Sequence, residues 1–270
     1  MVHALVVKLI TALVILGLLG GSTSLRAGSL ETVADTRKLL AAMDDVGTDS
    51  HRLAALFRVG DTRLKELIQL LDDPDPKMKL RAQVVIRYVG NESGMQALRE
   101  WYSRQEGGYG IAGPIPLPLA EWDYHSIEVN LLATSPQTWR DRGVQYIYAL
   151  ALDGSPRAKA VLADLIKKAD GLDESNFIGY AIKRVQLNDT KRLLAGKDLA
   201  TLVLSNAFFI APEDRKYTSA RVLAFNRAKD KALVEVYINR GKLAEEWYHI
   251  VLRRCDQGWK FFSITPIAVS

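Results

Sequence analysis

Cysteine is almost absent from this chain. Cys255 stands alone among 270 residues, so no intrachain disulfide can form and stability must come from packing. Arg253 and Arg254 precede it, a setting that lowers the pKa of an exposed thiol, but a lone cysteine at a strand end reads as inert. Histidine is nearly as scarce. His3, His51, His125 and His249 are too scattered for a zinc spacing such as HExxH, and no metal or cofactor is expected. Glycine-rich phosphate loops, a G-x-S-x-G elbow and a Cys–His signature are missing too. Nothing therefore points to an enzyme. Long runs of one charge are also lacking. The 36 basic residues are nearly matched by 31 acidic ones, for a net charge of +5. The signs are interleaved, which argues against a nucleic-acid stripe and reads as solvated surface.

What the chain does have begins with "MVHALVVKLITALVILGLLGGSTSLRAG". Lys8 precedes an apolar stretch from Leu9 to Gly21, followed by small residues through Ser24. A positive start, an apolar middle and a small-residue exit describe a secretory signal. Extended back to Ala4, the stretch also suits an uncleaved anchor, a helix of about 20 residues being enough to span a bilayer. A buried core helix is the third reading. With no cysteine near the exit, a lipid-modified cysteine is excluded. Residues 1–24 are thus expected to export the protein to the periplasm or beyond, and any membrane contact is confined to them.

The most organised stretch is "RLKELIQLLDDPDPKMKLRAQVVIRYVGNESGMQALREWY", residues 63–102. Leu64, Leu67, Ile68 and Leu71 share one helical face. Met78, Ala82, Val85 and Val89 share another, and Met95, Leu98 and Tyr102 a third. Between the first two segments, "DDPDP" removes two backbone donors and turns each residue before a proline away from helix. Asp75 suits a helix cap with Pro76 at the first position. The turn is short enough to dictate an antiparallel helical hairpin. One hairpin cannot bury its apolar face alone, so neighbours must stack.

This stretch resembles a HEAT repeat, including the phycobilisome-lyase-type variety: a leucine-rich first helix, an acidic-proline turn, and a second helix with Arg81 and Arg87. "LALDGSPRAKAVLADLIKKA" and "DESNFIGYAIKRVQ" echo it further on. The resemblance implies a helical-repeat domain over residues 25–195 that binds a protein partner along a concave face. It implies architecture rather than chemistry, so the lyase activity of some HEAT-like proteins is not carried over. Arg81 and Arg87 lie six residues apart, which on an ideal helix separates them by about 120°, so both cannot face one groove. Arg81 sits beside the apolar stripe, a candidate for partner contact or for a salt bridge to the acidic turn.

An insert, residues 104–135, interrupts the array. Glycines open it and "PIPLP" should be extended and stiff. A long segment without its own helical period is often functional, so Trp122, Tyr124 and His125 are candidate partner contacts. The blander reading is that these aromatics pin the insert to the helices.

From residue 196 the pattern changes. "KDLATLVLSNAFFIAPED" reads as one helix ending near Pro212. Four alternating segments then follow, "ARVLAFNRA", "KALVEVYINR", "AEEWYHIVLRRC" and "WKFFSITPIAV". Their short connections predict a four-stranded antiparallel meander. Ala232, Val234, Val236 and Ile238 mark one buried face of the second strand, with Glu235 and Tyr237 on the other. The order of a helix and a meander is similar to cystatin-like and nuclear-transport-factor-like domains, without the glutamine-valine-glycine hairpin of cystatin inhibitors. The expected fold class is mainly α with a small C-terminal α+β domain, residues 196–270.

Two functions from different classes follow. The first is an exported interaction or scaffold protein without catalysis. The alternative is a ligand-binding or enzymatic pocket in the C-terminal domain, lined by Trp247, His249, Trp259 and Glu235. Within it, a carboxylate from Glu235 or Glu246 would orient the imidazole of His249. The blander reading is a cross-strand pair.

Overall fold

The computed structural model describes residues 33–43, 49–105, 114–173, 176–188, 193–196, 198–239 and 245–269. The proposed export segment, residues 1–24, lies outside the described residues. Among these, no helix is long and apolar enough to cross a membrane.

The chain is mainly helical and closes with a C-terminal four-stranded antiparallel sheet. Helix α1 spans Val33–Ala41, α2 Ser50–Gln69, α3 Pro76–Val89 and α4 Glu92–Ser103. The acidic-proline turn works as its residues dictate: Asp75 caps α3 through the amide of Lys77, with Pro76 in the first turn. Gly90 ends that helix in the left-handed region at φ 57°. A Cβ there would meet the Phe262 ring at 2.7 Å, so glycine answers both a steric and a conformational demand. Helices α2 and α3 lie so close that a Cβ at Gly60 would meet Val89 Cγ2 at 2.1 Å.

A second group follows, with α5 at Glu121–Ile127, α6 at Arg140–Asp153, α7 at Pro156–Lys168, α8 at Phe177–Leu187 and α9 at Leu199–Asn206. Strands β1 (Thr218–Phe225), β2 (Lys231–Asn239), β3 (Glu245–Cys255) and β4 (Gly258–Val269) pair in sequence order, each antiparallel to the next.

Three local expectations need correction. The insert is not without helix, because α5 continues into a wider π turn over Glu128–Leu132. The carboxylate of Asp123 accepts from the amide of Ala120 and so closes the first turn. Helix α9 stops at Asn206 rather than near Pro212. Neighbouring residues on a helix point about 100° apart, and leaving the helix lets Phe208 and Phe209 enter one core. There they meet the rings of Tyr148 and Phe261. Finally, β2 is buried on both faces, with Leu233 at 0% and Glu235 at 9% exposure.

That double burial locates the sheet. Ala232, Val234, Val236, Ile238, Ile250 and Phe261 share a core with α6, α8 and α9. Leu233, Val251 and Phe262 share the other with α2, α3 and α4. The sheet is thus the middle layer between two helical groups, and the 196–270 segment has no core of its own. Helix α3 is buried from Ala82 through Val89, so it offers no open concave face. Leu117 and Trp122 pack against both cores, which places the insert between the two groups.

Candidate functional site

Three polar features stand out: a closed network on the sheet, a buried cluster beneath the insert, and a cleft between the insert and the sheet.

The network centres on His249, which is wholly buried. Register places it opposite Glu235. Tyr88 OH from α3 lies 2.9 Å from Nδ1, and Ser50 Oγ, in the first turn of α2, lies 3.2 Å from Nε2. Ser50 donates to Glu235 Oε2 at 2.5 Å, and Arg221 Nε donates to Oε1 at 2.7 Å. One consistent direction runs through the chain. Tyr88 donates to Nδ1, Nε2–H donates to Ser50, and Ser50 donates to the carboxylate that Arg221 also holds. Burial pushes the His249 pKa down, which favours the neutral ring this chain requires. The interaction with His249, with Ser50 and Arg221 adding, holds Glu235 down at about 2 despite its burial. Burial raises Tyr88 well above the usual phenol range, so it remains a donor. A nucleophilic serine would give its proton to the imidazole. Here Ser50 gives it to Glu235, and the network ties α2 and α3 to the sheet.

The buried cluster lies where α3, α4, α5 and α6 converge. Arg87 is 0% exposed. Its guanidinium sits 4.4 Å from the centre of the Trp122 ring, and that ring stacks on Tyr102 at 4.8 Å. Arg87 Nη1 donates to the carbonyl of Pro114 at 3.2 Å. Its Nε and Nη2 make no hydrogen bond among the described residues, nor do Trp122 Nε1 or Asp123 Oδ1. Tyr146 OH makes none of good geometry, although the Ser126 side chain lies close enough to oppose the rise of its pKa. These groups feel one another. Burial raises the Asp123 pKa against the opposing pull of Arg87. Burial, with Asp123 adding, pushes Tyr146 up to about 12. Burial lowers Arg142, and the charge on Arg87 lowers it further.

The cleft has a volume of about 610 Å³. Three distant segments wall it: Asp61 to Arg99, Pro116 to Asp123, and Asn226 to Arg253 with Phe262. Met95, Leu117 and Phe262 supply apolar wall; Glu92, Arg99, Asp230 and Arg253 supply charge of both signs. Lys231 closes one side, its Nζ donating to the carbonyls of Val89 and Gly90 at the end of α3. Asp123 belongs both to this wall and to the buried cluster.

The residues singled out from sequence fare unevenly. Tyr124 is 5% exposed and lies beneath the Arg157 guanidinium at 3.9 Å. Trp122 is half-buried in the stack just described. Both pin the insert, and neither offers the exposed contact area expected of a partner surface. His125 is exposed on α5. Arg81 does not bridge to the acidic turn. It donates to the carbonyls of Leu40 and Ala41, whose partial negative charge at the end of α1 attracts a cation.

Trp247, His249, Trp259 and Glu235 do not line a common pocket. Glu235 and His249 are joined, but the ring of Trp247 rests on Tyr237 at 4.9 Å. Trp259 packs on the opposite side of the sheet, against the core that contains Phe261. The other candidate carboxylate, Glu246, accepts from Tyr248 OH rather than from His249. Cys255 is half-exposed, its Sγ 3.3 Å from the Gly258 carbonyl.

Among the described residues, no group of three or more His, Cys, Asp or Glu is arranged to hold a metal. Sequence reasoning missed the cleft, which no single segment encodes, and Arg87. A cation inside the apolar run "VVIRYV" was the signal available. Compared with known proteins, the chain matches no family model, no curated protein and no solved structure.

Proposed function

We propose that this chain is an exported binding protein without catalysis, and that it takes a segment of a protein partner into the cleft between the insert and the sheet. The carrying observation is the cleft itself. Its apolar wall and its rim of Glu92, Arg99, Asp230 and Arg253 match an extended peptide, which offers side chains, amides and charges of both signs together. Clefts lined by groups from distant segments are typical recognition sites. Ser50 is oriented away from the role of a nucleophile, which supports binding over reaction. Export rests on the signal-like residues 1–24.

A small-molecule ligand is the second reading, because the volume of about 610 Å³ lies in the range of about 300–1,000 Å³ typical of such sites. Affinity capture from the envelope fraction with the full chain tests both. Arg99→Glu combined with Arg253→Glu makes the charged rim wholly acidic. It leaves the apolar side chains of both cores in place, Arg253 touching them only through the Phe262 ring at 6.0 Å. The expected result is loss of one captured protein with an unchanged thermal melt. Undiminished capture by the double variant contradicts the cleft as the protein-binding site. A small molecule found by native mass spectrometry on the wild type, and lost from the variant, supports the second reading.

A further inference from the structure

The Arg87 cluster leaves a charge without a partner, and its chemistry specifies what would answer it. The guanidinium uses only Nη1, on the Pro114 carbonyl. The two free groups, Nε and Nη2, form its side-on edge: two parallel N–H donors that match the two oxygens of a carboxylate or phosphate. Trp122 Nε1 is a third donor, buried and unpartnered, and Tyr146 OH a fourth, with only the Ser126 side chain close to it. Native interiors rarely leave such groups unmet, so each one calls for an explanation.

Water alone does not complete the site. Water can hydrogen-bond to orphaned donors, but it cannot neutralise a wholly buried cation. No ion pair of Arg87 exists among the described residues: Asp123 is near enough for the two charges to act on each other, but its Oδ2 is taken by the Ala120 amide and its Oδ1 meets none of the free donors. The missing group is therefore an acceptor carrying negative charge. A route exists in outline, since Asp123 forms part of the wall of the open cleft.

We propose that Arg87, Trp122 and Tyr146 form a receptor for a small oxyanion, a carboxylate or a phosphate group, held between the two helical groups. The receptor does not depend on what the rim of the cleft binds. Occupied, it joins α3, the insert and α6 through one ligand, so anion binding would tighten the junction of the two groups.

The test uses the full chain titrated with inorganic phosphate and, separately, with acetate, at ionic strength held constant with chloride. Calorimetry and intrinsic fluorescence read binding, and the difference between wild type and Trp122→Phe isolates the signal of the ring beside Arg87. Saturable binding of either anion, absent in chloride, is expected; which of the two binds tells carboxylate from phosphate. Arg87→Lys keeps the charge but loses the fork, and should weaken binding about tenfold or more. Trp122→Phe keeps the stack but loses the donor, and should weaken binding and abolish the fluorescence change. Should Arg87→Lys fold poorly, Trp122→Phe alone decides. Absence of binding by both anions overturns the proposal, as does unchanged binding in a folded Arg87→Lys or Trp122→Phe protein.

Discussion

Two buried polar clusters meet α3 through neighbouring residues, Tyr88 and Arg87, and they are built differently. Around His249, side chains from α2, α3 and three strands pass one hydrogen bond to the next until an arginine ends the chain. Around Arg87, two guanidinium N–H groups and an indole N–H find no acceptor among the described residues, and the Tyr146 phenol makes no hydrogen bond of good geometry. Both contain the residue types of functional sites. The closed cluster fixes how the sheet sits on the first helices. The open one holds buried donors that find no acceptor among the described residues. Counting hydrogen-bond partners separates these roles better than residue type does.

The largest expected effect lies in the closed cluster. His249→Leu leaves Tyr88 OH buried without its acceptor and removes the Nε2–H that donates to Ser50. A loss of about 2–4 kcal/mol is expected from chemical denaturation. A loss below about 1 kcal/mol would mean that water replaces the imidazole and that the network is not closed.

Acidification probes the same cluster without mutation. His249 and Glu235 both have folded-state pKa values below their ordinary ones, so the unfolded chain binds more protons. Their contribution is complete above the unfolded values and is lost as pH falls. For His249 the loss begins near its ordinary value of 6.5. For Glu235 it runs from near 4.5 down to about 2, and amounts to roughly 2–3 kcal/mol. Melting temperatures across this range should fall in two stages, and His249→Leu should remove the upper one. A profile flat from pH 7 to 4 would contradict the buried, neutral ring.

The smallest effect is expected from the open cluster. Arg87→Met replaces an uncompensated cation by an apolar chain of similar length. In chloride alone it should be neutral or stabilising by up to about 1 kcal/mol. A loss of several kcal/mol would place Arg87 in the same class as His249.

The legibility of the fold follows the range of the forces involved. Helix ends were readable because caps are local, as Asp75 with Pro76 and Gly90 show. Strand order was readable because the connections are short and alternation survives in β2 and β3. The layer arrangement was not. Glu235 looks like a solvent-facing residue in "KALVEVYINR", and its burial is tolerated only because His249, Ser50, 185 residues away, and Arg221 surround its carboxylate. The insert hid α5 because "PIPLP" masks the seven helical residues that follow. Of the site, the Glu235–His249 pairing was legible from register. The cleft was not, because its three walls meet only after folding, and Arg87 needs the insert and α6 to become an enclosed cation.

The contrast between closed and open clusters is tested most directly by the stability of wild type and Arg87→Met across a phosphate series at constant ionic strength. A ligand that binds only the folded state stabilises it in proportion to the logarithm of its concentration once the site fills. The account predicts that the two lines cross: the variant matches or exceeds wild type in chloride and falls below it at high phosphate. An acetate series repeats the crossing if the site reads carboxylates instead. Parallel lines in both series would contradict the account, because Arg87 would then be a settled part of the core.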